Sequence, residues 1–196
     1  MKFHRILLKL SWETLKGTQE YGIDVAFAKN LAEKIATLHL RGIQIAIVFG
    51  WGNIFRGMSG EKMGLDRVAG DYMGMLATVM NGIAFSDLLT QVGIPNRVLT
   101  SIKMDTVAEM FIHKRALKHM ELGRVVICVA GTGNPYSTTD SAAVLKALEL
   151  KCDVMIKWSK VDGIYNKDPH QHEDAVRFEE LTLDEAIQMN IKVMDQ

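Results

Sequence analysis

The sequence predicts an α/β fold, an αβα sandwich around a mostly parallel central sheet. Three observations predict it. Short aliphatic and β-branched runs alternate with stretches of helical periodicity. The runs are nearly continuous in apolar residues, as strands covered on both faces are. Capping residues and turn glycines fall at the junctions. Parallel crossovers are almost always right-handed, which leaves few topologies.

Each element has its own signal. Residues 6–10 read as a short buried strand. Asp24 caps a helix that carries Phe27, Leu31, Ile35 and Leu38 on one face, and Gly42 stops it. Residues 43–49 form a second strand, rich in β-branched side chains. A loop with glycines at 50, 52, 57, 60 and 64 follows. A long helix rich in Met and Ala runs over 66–92, and its methionines read as core filler. A third strand begins near Asn96 and includes Val98. Residues 106–122 have a helical pattern ended by Gly123. Strand 124–130, loop 131–139, helix 140–150 and strand 153–157 complete the alternation. Thr182 and Glu185 have capping-box spacing and open a short helix. No repeat, low-complexity tract or linker interrupts the chain, so 1–196 reads as a single domain.

Composition narrows the function. With 48% apolar residues in 196, the chain can bury a sizeable core. Lys plus Arg and Asp plus Glu both number 23, so no broad field favours nucleic acid or an anionic membrane. Cys128 and Cys152 lie in apolar segments without CxxC or zinc spacing. They read as reduced core thiols of a cytoplasmic protein. No run reaches the ~18 apolar residues of a membrane span, and the first residues lead into a strand rather than a signal peptide. His170 and His172 read as a solvated surface pair, and no residue is assigned to a metal. A GxSxG elbow is absent, and neither cysteine sits in a plausible reactive loop.

In such folds, ligands bind beyond the carboxyl ends of the strands. Lys9, at the end of the first strand, either meets an anion such as a phosphate or extends its head to water from an edge strand. The stretch Gly50-Trp51-Gly52-Asn53-Ile54-Phe55-Arg56-Gly57 offers backbone N–H groups and a guanidinium to phosphate, or is only a turn. It is neither a Walker A loop nor a GxGxxG fingerprint. The loop Gly131-Thr132-Gly133-Asn134-Pro135-Tyr136-Ser137-Thr138-Thr139-Asp140 is denser in polar groups than helix capping requires. Lys157, Lys160 and Tyr165 flank the last strand end, where cations can neutralise a transferring phosphoryl group. Asp71, early in the long helix, either accepts ribose hydroxyls or simply complements the helix dipole.

At these loops the sequence resembles bacterial UMP kinases of the amino-acid-kinase superfamily almost from end to end. Residues 6–11, 52–57, 67–82, 131–143, 160–163 and 192–195 carry the resemblance. Segments 73–82 and 131–140 are the most specific. The resemblance implies the amino-acid-kinase fold and transfer of the γ-phosphoryl of ATP to UMP, giving UDP. It implies magnesium with the ATP, a homohexamer built from dimers, and regulation by GTP and UTP. It places Lys9, Arg56, Asp140, Lys157 and Asp162 in the catalytic machinery. Asp71, Trp51, Thr132, Gly133, Asn134, Pro135, Tyr136, Ser137, Thr138 and Thr139 fall at UMP-side positions. Lys9, Leu10, Ser11, Trp12, Gly52, Arg56, Ser159, Tyr165 and Asp168 fall at ATP-side positions, and Asp195 matches a family acid.

The sequence departs from the family pattern at all three tryptophans. Trp12 and Trp51 stand where the family has glycine, and Trp158 replaces a small residue. An indole removes glycine's positive φ and close backbone approach, so weakened nucleotide affinity and turnover are expected, unless the loops shift to point the indoles at solvent or a subunit contact. The alternative reading is a non-catalytic nucleotide-binding homologue; a superfamily kinase acting on a carboxylate or carbamate is a further one. The chain also stops at Gln196, before the family's last strand and C-terminal structure, and on this reading it is C-terminally truncated.

Overall fold

A computed structural model describes residues 2–11, 13–54, 64–159 and 161–191. Trp12, Arg56, Lys160 and Asp195 lie outside the described residues. The backbone gathers into two compact units, Met1–Trp158 and Ser159–Gln196.

The first unit runs β1 (Arg5–Leu10), α1 (Glu13–Lys16), α2 (Val25–His39), β2 (Gln44–Phe49), α3 (Arg67–Gln91), β3 (Asn96–Thr100), β4 (Glu109–Met110), α4 (His113–Glu121), β5 (Val125–Val129), α5 (Thr139–Glu149) and β6 (Val154–Trp158). Its sheet has the order β4-β3-β5-β2-β1-β6. Every described pairing in it is parallel. Alternation along β1 and β2 sorts their side chains into two cores. Ile6, Leu8, Leu10, Ile45, Ile47 and Phe49 pack with α2 and α3. Leu7, Ala46 and Val48 pack with α4 and α5. Lys9 has the parity of Leu7, so its side chain is directed to the face that α5 covers.

Helix starts follow the sequence closely. Asp24 accepts the Phe27 N–H, and Asp66 accepts those of Val68 and Ala69. Helix α3 is long and apolar enough to span a membrane by composition. Here it is a core helix: Phe85 meets Phe49 edge-on at 5.0 Å, and Gly82 lies against Val129.

Two expectations change. Phe27 is 50% exposed, and the buried face of α2 is built instead from Ala28, Leu31, Ala32, Ile35 and Ala36. The 106–122 stretch is not one helix. Glu109 is drawn to Arg115 at 3.2 Å and to His119 at 3.1 Å, and β4 pairs with β3. Helix α4 therefore begins only at His113, after an extended Ile112. Tertiary pairing outweighs local propensity here.

The second unit holds an antiparallel pair, β7 (Ile164–Tyr165) with β8 (Arg177–Phe178), then α6 (Leu183–Gln188). The sequence reading did not anticipate this two-residue pairing. The capping box at Thr182 and Glu185 forms as read.

Candidate active site

Parallel pairing sets Lys9 of β1 directly beside Lys157 of β6. Two cations in register on one face repel unless an anion joins them. Asp140, in the first turn of α5, supplies it. Its Oδ1 is 2.7 Å from Lys9 Nζ and its Oδ2 is 2.6 Å from Lys157 Nζ. The Asp140 side chain is 1% exposed, that of Lys9 6% and that of Lys157 27%. Thr138 caps α5 by accepting the Ser141 N–H, so the helix N-terminus also favours the carboxylate. Lys9 and Lys157 stand near the carboxyl ends of β1 and β6.

The loop after β2 is held by a reciprocal amide pair. Asn53 Nδ2 donates to Asn81 Oδ1, and Asn81 Nδ2 donates to Asn53 Oδ1, both at 2.8 Å. Asn81 also donates to the Gly50 carbonyl and Asn53 to that of Gly22. Both side chains are buried. Sequence reading gave neither residue this role, although both lie in quoted motifs; an amide pair 28 residues apart has no local signature. Trp51, half-buried, turns its indole to α3. A Cβ on Gly74 would stand 3.0 Å from Trp51 Cδ2 and Cε2. Gly52 lies in the same turn.

The loop after β5 leaves the strand through left-handed residues. Ala130 has φ 62° and Gly133 φ 80°. A Cβ on Gly133 would meet the Ser101 carbonyl at 2.9 Å. Thr78 Oγ1 accepts the Ala130 N–H, and Ser101 Oγ donates to the Gly131 carbonyl. Thr132 Oγ1 accepts the Asn134 N–H. Pro135, Tyr136 and Ser137 lead into the Thr138 cap and Thr139, the first residue of α5. The structure joins this loop to Asp71, whose Oδ2 accepts the Tyr136 N–H at 2.7 Å. Leu10 is buried in β1, Ser11 follows it, and Trp158 is half-exposed.

In the second unit, Tyr165 donates its hydroxyl to Asp162 at 2.7 Å. That bond lowers the Asp162 pKa and raises that of Tyr165. Arg177 also reaches Asp162. Ser159 donates to the Val161 carbonyl, and Asp168 accepts the His170 N–H within a turn. No group of three or more His, Cys, Asp or Glu among the described residues is arranged to hold a metal.

A parallel sheet with cationic side chains at its carboxyl rim and a polar loop opening a helix defines an α/β protein built to hold phosphates. The chain belongs to the amino acid kinase family, whose model matches residues 4–196. It is 48% identical over 194 residues to a uridylate kinase of Dichelobacter nodosus, covering 99% of this chain and 80% of that protein. Among solved structures, it matches the UMP kinase from Bacillus anthracis with a TM-score of 0.94 at 35% identity, covering 99% of this chain and 80% of that one. The UMP kinase from Ureaplasma parvum gives a TM-score of 0.93 at 36% identity, covering 100% and 83%.

Proposed function

We propose that the chain is a UMP kinase that transfers the γ-phosphoryl of ATP to UMP, giving UDP and ADP. The observation that carries this reading is Asp140 holding Lys9 and Lys157 together at the rim of the sheet. The uridylate kinase relationship names the nucleotide. A UMP phosphate oxygen attacks the γ-phosphorus, and the bond to the bridging β,γ-oxygen breaks, releasing ADP. The attacking group is already an oxyanion, so positioning and charge stabilisation suffice. Lys9 meets the transferring group. Lys157 stabilises charge beside it, and Asp140 orients both lysines. Arg56 contributes to phosphate binding. Asp71 and the 132–139 loop hold UMP. The ATP-side roles of Ser159, Tyr165 and Asp168, and the catalytic role of Asp162, rest on the family resemblance.

Magnesium enters on the ATP phosphates, as part of that substrate. A homohexamer of dimers, response to GTP and UTP, and a cytoplasmic location belong to the same proposal. Tyr72, Met73, Leu76, Met80 and Ile83 leave an exposed apolar stripe along α3, which supports an assembly through that helix.

The test couples ADP release to added UMP, CMP or acetylglutamate with magnesium and ATP. Turnover with UMP, and little with the other acceptors, is expected. Absence of UMP-dependent ADP release overturns the reading.

A further inference from the structure

Asp71 does not stand alone at the start of α3. Arg67 Nε donates to its Oδ1 at 3.0 Å and to its Oδ2 at 3.1 Å, across one helical turn. From the other side, the Tyr136 N–H reaches Oδ2 at 2.7 Å. The Arg67 guanidinium carbon also lies 5.6 Å from the centre of the Tyr136 ring. Tyr136 has φ 60°, a left-handed conformation unfavourable for a bulky residue. The residue is 72% exposed, so burial does not hold it there. Arg67, Asp71 and the Tyr136 backbone thus form a clasp between α3 and the loop that precedes α5.

The clasp does little for stability. The Arg67 side chain is 50% exposed, and exposed ion pairs one helical turn apart contribute weakly. Its consequence is directional. A carboxylate has about four lone-pair sites. The single Arg67 Nε–H is shared between the two oxygens, whereas the Tyr136 N–H engages Oδ2 alone, so Oδ1 is the less occupied acceptor.

We propose that Arg67 is a positioning residue that aims Asp71 Oδ1 at a single sugar hydroxyl of the acceptor nucleotide. This rests on the reading of Asp71 as a UMP-side residue. Arg67 fixes the carboxylate plane, and the Tyr136 N–H prevents its rotation.

The test is isothermal titration of UMP, 2′-deoxy-UMP and 3′-deoxy-UMP into the whole chain and its Arg67→Met, Arg67→Lys and Asp71→Asn variants. Circular dichroism establishes that each is folded. The unsubstituted chain is expected to bind UMP ~10-fold or more tightly than one of the two deoxy analogues. Arg67→Met should lose most of that preference, as Asp71→Asn does, and Arg67→Lys should restore part of it. An Arg67→Met protein that keeps the full preference overturns the proposal. So does an unsubstituted chain that binds all three ligands equally, or an Arg67→Met loss of affinity equal for all three. Turnover of UMP by the unsubstituted chain is measured separately. If turnover is present while the preference ignores Arg67, the clasp fails and the kinase reading stands. A chain that binds UMP selectively through Arg67 without turnover retains the clasp and loses the kinase reading. Failure to bind UMP at all removes both.

Discussion

Lys9 Nζ lies 2.7 Å from Asp140 Oδ1, and both side chains are almost wholly shielded from water. Shielding strengthens their attraction but also makes either charge costly without the other. Lys157 shares the same carboxylate, so one acidic residue sets the position of both cations.

Lys9→Met should therefore leave a folded chain, because Lys157 still pairs with Asp140. Its kcat should fall about 10²–10³-fold through lost transition-state charge stabilisation. Asp140→Asn should damage both properties, since two neighbouring lysines then lack their common anion. Breaking such a buried cluster costs about 3–5 kcal/mol. Urea unfolding and steady-state kinetics measured on both variants separate the effects. Equal stability losses in the two would contradict this division.

Gly82→Ala should destabilise the chain although alanine is the better helix former. Its Cβ would fall 2.3 Å from Val129 Cγ1 and 3.4 Å from Ile127 Cγ2. Overpacking costs about 1–3 kcal/mol and outweighs a propensity gain of about 1 kcal/mol. Adding Val129→Ala should recover part of the loss in denaturant melts. A lone Gly82→Ala that raises the midpoint would show that α3 can move away from β5.

The thiols should be unreactive in the native protein. Burial pushes Cys128 up to about 12 and Cys152 up to about 11. The thiolate is the nucleophile, so a disulfide reagent at pH 8 should label neither quickly. Unfolding should release both. Rapid native labelling of Cys128 would mean that its face of the sheet opens readily.

Asp153 should contribute to acid sensitivity. The Arg5 N–H and then the His4 N–H donate to its carboxylate and hold its pKa below the usual 3.8. A depressed folded pKa stabilises fully above the unfolded value, and the contribution is lost as pH falls through the folded one. Asp153→Asn should lower the urea midpoint at pH 7 and lower it less at pH 3. An equal drop at both values would assign the effect to packing rather than charge.

Much of the architecture was legible in the chain itself. Asp24, Asp66 and Thr182 announce helix starts because their side chains bind N–H groups only two or three residues away. The aliphatic runs that become β1, β2 and β5 follow from covering both faces of a parallel sheet. The polar loop after β5 and the lysines near strand ends could be singled out because such groups are costly there without an anion.

Other features were settled only by distant contacts. The sequence alone determined the main strands β1, β2, β3, β5 and β6 and the helices α2, α3 and α5. Strand order, which places Lys9 beside Lys157 and brings Asp140 to both, came from the tertiary structure. So did the Asn53–Asn81 amide pair, the seating of Trp51 on Gly74, and the division of 106–122 into β4 and α4. Caps and hydrophobic periodicity act over a few residues and leave a local trace. Register, amide pairing and shared counter-ions join residues far apart in the chain, so their energy appears only when the sheet closes.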